Sequence, residues 1–379
     1  MESMISEEPD PAAVRWMKRG LLTFVGFAVV LGLYVGYWTL MAGQLERQLD
    51  IWVEARRAEG IDISFGAQHV QGFPGRLHLR LKDITVVSGA KAQQPWRWQV
   101  PKAEAWALPW QLNHITYELQ GTQRLRIGEA SSASDFVVAT DRVEGRVVVR
   151  GAGHGEMKLT IAGLDVERLK QQQRLGGARR FDMDMTWRAH PKPDDKALMP
   201  LAFDLGIDGA DLPKSWMSPL GRRVSTLRVG GYLSGPWPGG ALTQALTQWR
   251  DAGGTLDVSR FSIEHGPLKL QAEGTAALDV RLQPQAAFTV RAEGYLDTVE
   301  ALVKAGLMRP RDGTAVKLVL TVIAKRPAGR APFVETPLTL QGQVLSAGDL
   351  RLLRVPPIQW DRLRGLTLPG GAESAKVTP

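Results

Sequence analysis

Six histidines, His69, His78, His114, His154, His190 and His265, are the side chains of this sequence best suited to bind metal or move protons. No two of them stand four apart, no HExxH motif occurs, and no cysteine is present to share a zinc ion, so their spacing offers no metal site. His78 alternates with Arg76 and Arg80 and reads as a solvated strand residue. Asp204, Asp208 and Asp211 cluster without the spacing or closing glutamate of a calcium loop, and Asp208-Gly209 makes an ordinary turn. Gly151-Ala-Gly-His-Gly155 imitates the start of a dinucleotide fingerprint. The next segment, Met157 to Ile161, alternates as a strand, so no helix N-terminus awaits a phosphate. With no GxSxG elbow and no Walker loop, no catalytic residue and no cofactor is expected, and a hydrolase is the least favoured reading.

The chemistry that remains is that of apolar surface. In Arg76 to Lys82, Leu77, Leu79 and Leu81 point to one side and the basic and histidine residues to the other, the pattern of a half-buried strand. Val316, Leu318, Leu320 and Val322 read the same way, and Trp96 and Trp98 share one strand face. These nine residues are the candidate lipid-groove set. They line an open trough for acyl chains or fill a covered sheet interior, and the tryptophans have membrane-interface contact as a third use.

The elements that must position them follow from period and punctuation. Similar alternation returns at Val147/Val149, Met183/Met185/Trp187, Phe203/Leu205/Ile207, Leu268/Leu270, Phe288/Val290 and Leu338/Leu340. Turns such as Gly72-Phe-Pro-Gly75, Gly253-Gly254 and Gly266-Pro267 separate them at short intervals. The fold class is therefore mainly β: an extended antiparallel body, a curled sheet or groove, with a few short amphipathic helices at 44–59, 241–249 and 298–307. Stretches 190–200 and 235–240 read as linkers, which divides the body into a first β-rich part at 43–190 and a second at 201–367, before a disordered tail at 368–379.

At 379 residues the chain is long enough for two to three domains or one large β body. The absence of cysteine closes disulfide, iron–sulfur and thiol chemistry. A formal charge of +8 raises nucleic acid as a partner, but the arginines are scattered singly and form no basic block, so nucleic-acid binding is not expected.

Residues 21–42 carry no charge over a length sufficient to cross a hydrocarbon layer of about 30 Å. Arg15, Lys18 and Arg19 precede this stretch while Glu46, Arg47 and Asp50 nearly cancel beyond it, so residues 1–20 are assigned to the cytoplasm, 21–42 to a single span and the rest to the far side. The uncharged core is too long for a cleaved signal peptide, and Leu40 fits the cleavage rule poorly.

The order of these features, a basic-flanked anchor, the Gly72-Phe73-Pro74-Gly75 turn, the run Leu256 to Thr275, the helix near Val299 to Leu307, Pro337 to Gly342 and Pro356-Pro357, resembles the bacterial family of domain of unknown function 2125 (DUF2125) over most of residues 15–360. That resemblance implies no catalytic residue. The pattern is similar in turn to the AsmA-like envelope proteins, whose β-groove bodies are associated with lipid movement, which implies an inner-membrane protein with its bulk in the periplasm. Lipids or envelope proteins are the partners implied, with arginine-bearing groove edges meeting anionic headgroups. A periplasmic protein-interaction scaffold with a closed dry core is the alternative.

Overall fold

The computed structural model describes residues 11–58, 60–88, 95–128, 133–150, 154–188, 201–216, 218–235, 240–329, 331–348, 350–360 and 367–368. The expected linker at 190–200, four of the six residues of that at 235–240 and all of the tail but Leu368 lie outside them.

Helix α1 runs Pro11–Ala58 without interruption, so the expected span and the expected short helix at 44–59 are one element. Nothing in Gly43 to Arg47 breaks a helix, and the stop comes at Gly60, which adopts φ +86° and donates its N–H to Arg57 O at 3.0 Å. Among the described residues α1 is the one helix long and apolar enough to cross a membrane. Beyond its apolar stretch, Leu45, Leu49 and Val53 form a partly to fully buried stripe, leaving Glu46, Arg47 and Asp50 outward.

The body begins with β1 (Ile61–Ser64), β2 (Ala67–Gln71) and β3 (Leu77–Ser88), continues with β4 (Trp96–Leu108), β5 (Gln111–Gln120), β6 (Gln123–Ile127), β7 (Ser134–Ala139) and β8 (Arg142–Arg150), and lengthens in β9 (His154–Arg168) and β10 (Gln173–Arg188). After β11 (Leu201–Asp211) and β12 (Arg223–Ser234) come the two-residue β13 (Gly240–Ala241) and helix α2 (Leu242–Asp251). Then follow β14 (Thr255–His265), β15 (Leu268–Leu278), β16 (Pro284–Glu293), helices α3 (Tyr295–Lys304) and α4 (Pro310–Ile323), β17 (Phe333–Gln341), β18 (Val344–Ala347), β19 (Leu350–Arg354) and β20 (Thr367–Leu368).

Eighteen of these strands make one sheet, and every pairing is antiparallel. The sheet starts at β1 and β2, which both pair with β3, and proceeds to β19, mostly by hairpins, with α2 in the connection from β12 to β14 and α3 and α4 in that from β16 to β17. Strands β5 and β6 are two halves of one row beside β4, and β8 and β7 two halves of one row beside β9. The two expected β-rich parts meet within this sheet, because β10 and β11 pair from Gly177↔Asp211 to Trp187↔Leu201.

A line of interruptions crosses the first strands at Asp83, Pro101, Gly121, Asp141 and Gly163, where the ladders skip a residue or a row divides. Gly163 has φ +63°, and a Cβ there would stand 1.9 Å from the Asp141 carboxylate, so only glycine fits. Such unpaired residues bend and twist a sheet along a common axis.

The helices at 241–249 and 298–307 appear as α2 and α3, but the strand expected at Val316–Val322 does not form. Those residues lie on α4. Val319 occupies what would be the polar side of the alternation, Pro310 pre-sets the first helical turn, and Asp312 sits where a helix N-terminus favours an acid. Helix α4 packs on α3 at Gly313, where a Cβ would meet Val303 Cγ2 at 2.5 Å, and Lys317 reaches Glu300 at 3.4 Å.

Candidate functional site

The register of the sheet aligns apolar residues across strands as well as along them. One transverse row reads Leu79, Ala105, Tyr117, Gly145, Leu159, Met183, Leu205, Val229, Phe261, Ala272, Val290, each the direct partner of the next, before Thr336 ends it. The neighbouring row reads Leu81, Ala103, Leu119, Val143, Ile161, Phe181, Ile207, Leu227, Ile263, Leu270, Ala292, Val334, apolar across all twelve strands. At a strand spacing of about 4.8 Å, such a row is roughly 50 Å long.

Between them, projecting to the other face, runs Arg80, Glu104, Glu118, Glu144, Thr160, Asp182, Gly206, Arg228, Ser262, Gln271, Arg291, Glu335. The sheet therefore has one oily and one ionic face. Arginines of the body pair with acids on or near this second face: Arg180 with Asp182 at 2.6 Å, Arg228 with Asp208 at 2.6 Å, and Arg260 with Asp204. Pairs this exposed are screened by solvent and add little to stability. Their regular spacing accounts for the scattering of arginine along the sequence.

No residue of the two apolar rows is exposed, yet most are only half-buried. Leu77 and Pro109 are the only large side chains that are fully buried among the described residues. A second sheet laid on this face would bury it throughout, as in a sandwich. Among the described residues the only other sheet is the two-residue pairing of β13 with β20. Tyr117 reports the local polarity: desolvation raises the pKa of its phenol above the ordinary value. Its ring crosses β8 at Gly145, where a Cβ would come within 2.3 Å of the Tyr117 Cζ.

Of the nine expected groove residues, Leu77, Leu79 and Leu81 open this face, with Leu77 and Leu79 buried and Leu81 half-buried. Trp96 and Trp98 lie on β4 beyond the line of interruptions, opposite Ile127 and Leu125, and the Trp98 indole N–H donates to the buried Gln123 Oε1 at 3.0 Å. Val316, Leu318, Leu320 and Val322 are not part of the face; on α4, Leu318 is 67% and Val322 77% exposed. Arg15, Lys18 and Arg19 fall on the first turns of α1. The interior of the rows, Tyr117, Leu159, Met183 and Leu205 above all, went unnamed as candidates because alternation reveals a face but not which faces line up.

The polar face holds one buried cluster of charge, and His78, expected there as a solvated strand residue, is only 7% exposed in it because it packs against Glu104 and Trp106. Glu104 accepts from Lys102 Nζ at 2.5 Å and lies 2.9 Å from His78 Nε2, with Arg80 at 3.4 Å and the Trp106 ring edge-on to His78. The Lys102 hydrogen bond chiefly, and then His78, hold the Glu104 carboxyl below its ordinary 4.5 against the opposing cost of burial. A depressed carboxyl stabilises the fold above its unfolded pKa and loses that contribution as pH falls through the folded value. Glu104→Gln is expected to cost about 1–3 kcal/mol at pH 7. The gap between variant and wild type should close below pH 4.5. Chemical denaturation across pH checks this, and a gap independent of pH would contradict it.

Other sites with chemical potential resolve into structure. His265 Nε2 donates to Gly221 O at 2.7 Å and lies 3.3 Å from Ser218 Oγ, so the nitrogen that would serve as base toward Ser218 carries the proton. Asp204, Asp208 and Asp211 each hold an arginine, and among the described residues no group of three or more metal-binding side chains converges. A shallow hollow lined by Ser262, Lys269, Gln271 and Arg291 lies on the ionic face.

No curated protein and no solved structure matches the chain. The profile of a bacterial family does, over residues 38–356, from the end of the apolar stretch of α1 through β19 and so across every strand of the two rows. The chain belongs to the DUF2125 family, described as uncharacterized protein conserved in bacteria.

Proposed function

We propose that the chain is a non-enzymatic protein of the bacterial envelope, anchored in the inner membrane by α1 with its body in the periplasm, that carries lipid acyl chains along the apolar face of its sheet. The observation that carries this reading is the pair of transverse apolar rows, half-buried and, among the described residues, without a covering sheet. An acyl chain laid along a row gains roughly 0.8 kcal/mol per buried CH₂ without demanding a specific polar contact. A ligand held by its tail needs no catalytic group. The placement of Arg15, Lys18 and Arg19 before the span supports a cytoplasmic N-terminus.

A photo-crosslinking amino acid placed in the full chain in living cells tests this. At Leu159 or Leu205 it is expected to give a phospholipid adduct visible with a radiolabelled phosphate; at Thr160 or Gln271, on the ionic face, it is not. Equal labelling on both faces, or none on the apolar one, would overturn the proposal. Alkaline phosphatase fused after Pro357 is expected to be active, and an inactive fusion would reverse the orientation.

A further inference from the structure

We propose that the hairpin tips at Phe73-Pro74 and Leu108-Trp110 insert into the leaflet of the same bilayer that α1 crosses, so that the apolar face opens directly onto the membrane. This rests on the anchor reading of α1.

The argument begins with how the helix meets the sheet. Tyr34, Tyr37 and Trp38 lie inside the uncharged stretch of α1, and each donates to a backbone carbonyl of a tip or beside it: Tyr34 Oη to Pro74 O, Tyr37 Oη to Pro109 O at 2.9 Å, and Trp38 Nε1 to Arg76 O at 3.3 Å. Phe73 adds ring contacts, its centroid 6.2 Å from Tyr34 and 5.6 Å from Trp38. With the span ending at Ala42, 1.5 Å per residue places Tyr34 to Trp38 roughly 6–12 Å inside that end. The tips docked on them reach the same depth. That is the zone where amphipathic rings settle, about 5–10 Å into the boundary of headgroups and acyl chains.

The tips also carry the right surface. Phe73 remains 48% and Trp110 60% exposed after these contacts, and Val149, on β8 in the row directly beside Trp110's hairpin and at the same end of the strands, is 50% exposed. In water such a rim is a cost; in an interface it is an anchor. Arg76, exposed beside the first tip, stands where a headgroup phosphate would meet it. Leu77 follows Arg76 directly, so the apolar face begins at the rim. The opposite ends of the strands lack this arrangement: α1 reaches them at Ala58, before β1 pairs with the Ser88 end of β3, about 36 Å along the helix from Tyr34.

The natural absence of cysteine allows a direct test in the full chain. Single substitutions Phe73→Cys, Trp110→Cys, Leu169→Cys and Phe27→Cys are spin-labelled and reconstituted into vesicles of phosphatidylethanolamine and phosphatidylglycerol, and collision with oxygen is compared with collision with a water-soluble nickel chelate. Labels at 73 and 110 are expected to favour oxygen several-fold over the label at 169, an exposed apolar tip at the far end. The label at 27 reports the span. Water-like behaviour at both 73 and 110 with a lipid-like label at 27 would overturn the inference and leave the anchor standing. A water-like label at 27 would overturn both. Trp110 makes no ring contact with α1, so its label reports even where replacing Phe73 loosens the docking.

Discussion

Leu77→Asp is expected to unfold the body, whereas Leu205→Asp is expected to leave it folded and strip it of lipid. Leu77 is 0% exposed, so an aspartate there is a charge without water or partner, and such substitutions cost several kcal/mol. Leu205 lies mid-row between Met183 and Val229 and is only half-buried. Its carboxylate reaches solvent across the open face, so the loss is confined to part of the roughly 1.5–3 kcal/mol that full burial of a leucine contributes. The same carboxylate interrupts an acyl chain lying along the row. Thermal melts paired with mass spectrometry of co-purified lipid separate the two outcomes. Unfolding by both variants, with no lipid recovered from the wild type, would mean that the face is covered and would favour the dry-core scaffold.

Much of the fold was legible in residue types. The alternation Leu77/Leu79/Leu81 and the Gly266-Pro267 turn each specify a local geometry, and β3 and the β14–β15 hairpin follow. Strand alternation at Val316–Val322 gives way to helix α4 because a short apolar run satisfies either period, and Val319 breaks the alternation. The site was legible only at its first strand. Whether Leu159 lies beside Met183 and Gly145 depends on the register of three strands, which is set by turn lengths and by skipped residues such as Asp141 and Gly163, not by the composition of any one strand. A slip of one residue at Gly163 would turn Ile161 and Leu159 to the ionic face. Charge was legible only in part for the same reason: single arginines along alternating segments read as solvated strand faces, but their partners appear only once the pairing places Arg180, Arg228 and Arg260 beside their acids.

Trp249→Ala is expected to cost about 3–5 kcal/mol, the range for deleting a large buried aromatic. Trp249 is 4% exposed on α2, and its indole N–H donates to Ser234 O, the last residue of β12, at 2.8 Å. Its ring lies over Gly254, where a Cβ would come within 2.3 Å of Cε2, so the residue before β14 must be glycine for the indole to sit. One side chain thus fastens α2 to the ends of two adjacent strands, and Ala245, fully buried, completes the contact. Trp249→Phe separates packing from hydrogen bonding: it keeps most of the apolar contact and leaves the Ser234 carbonyl without this donor, a loss of about 1–2 kcal/mol. Gly254→Ala should approach the alanine variant in severity, because the added methyl expels the ring rather than shortening it. The measurement is the order of melting temperatures, wild type above Trp249→Phe above Trp249→Ala. Equal melting of Trp249→Ala and wild type would show that α2 contributes nothing to holding β12 against β14, and the sheet at that end would then rest on its ladder alone.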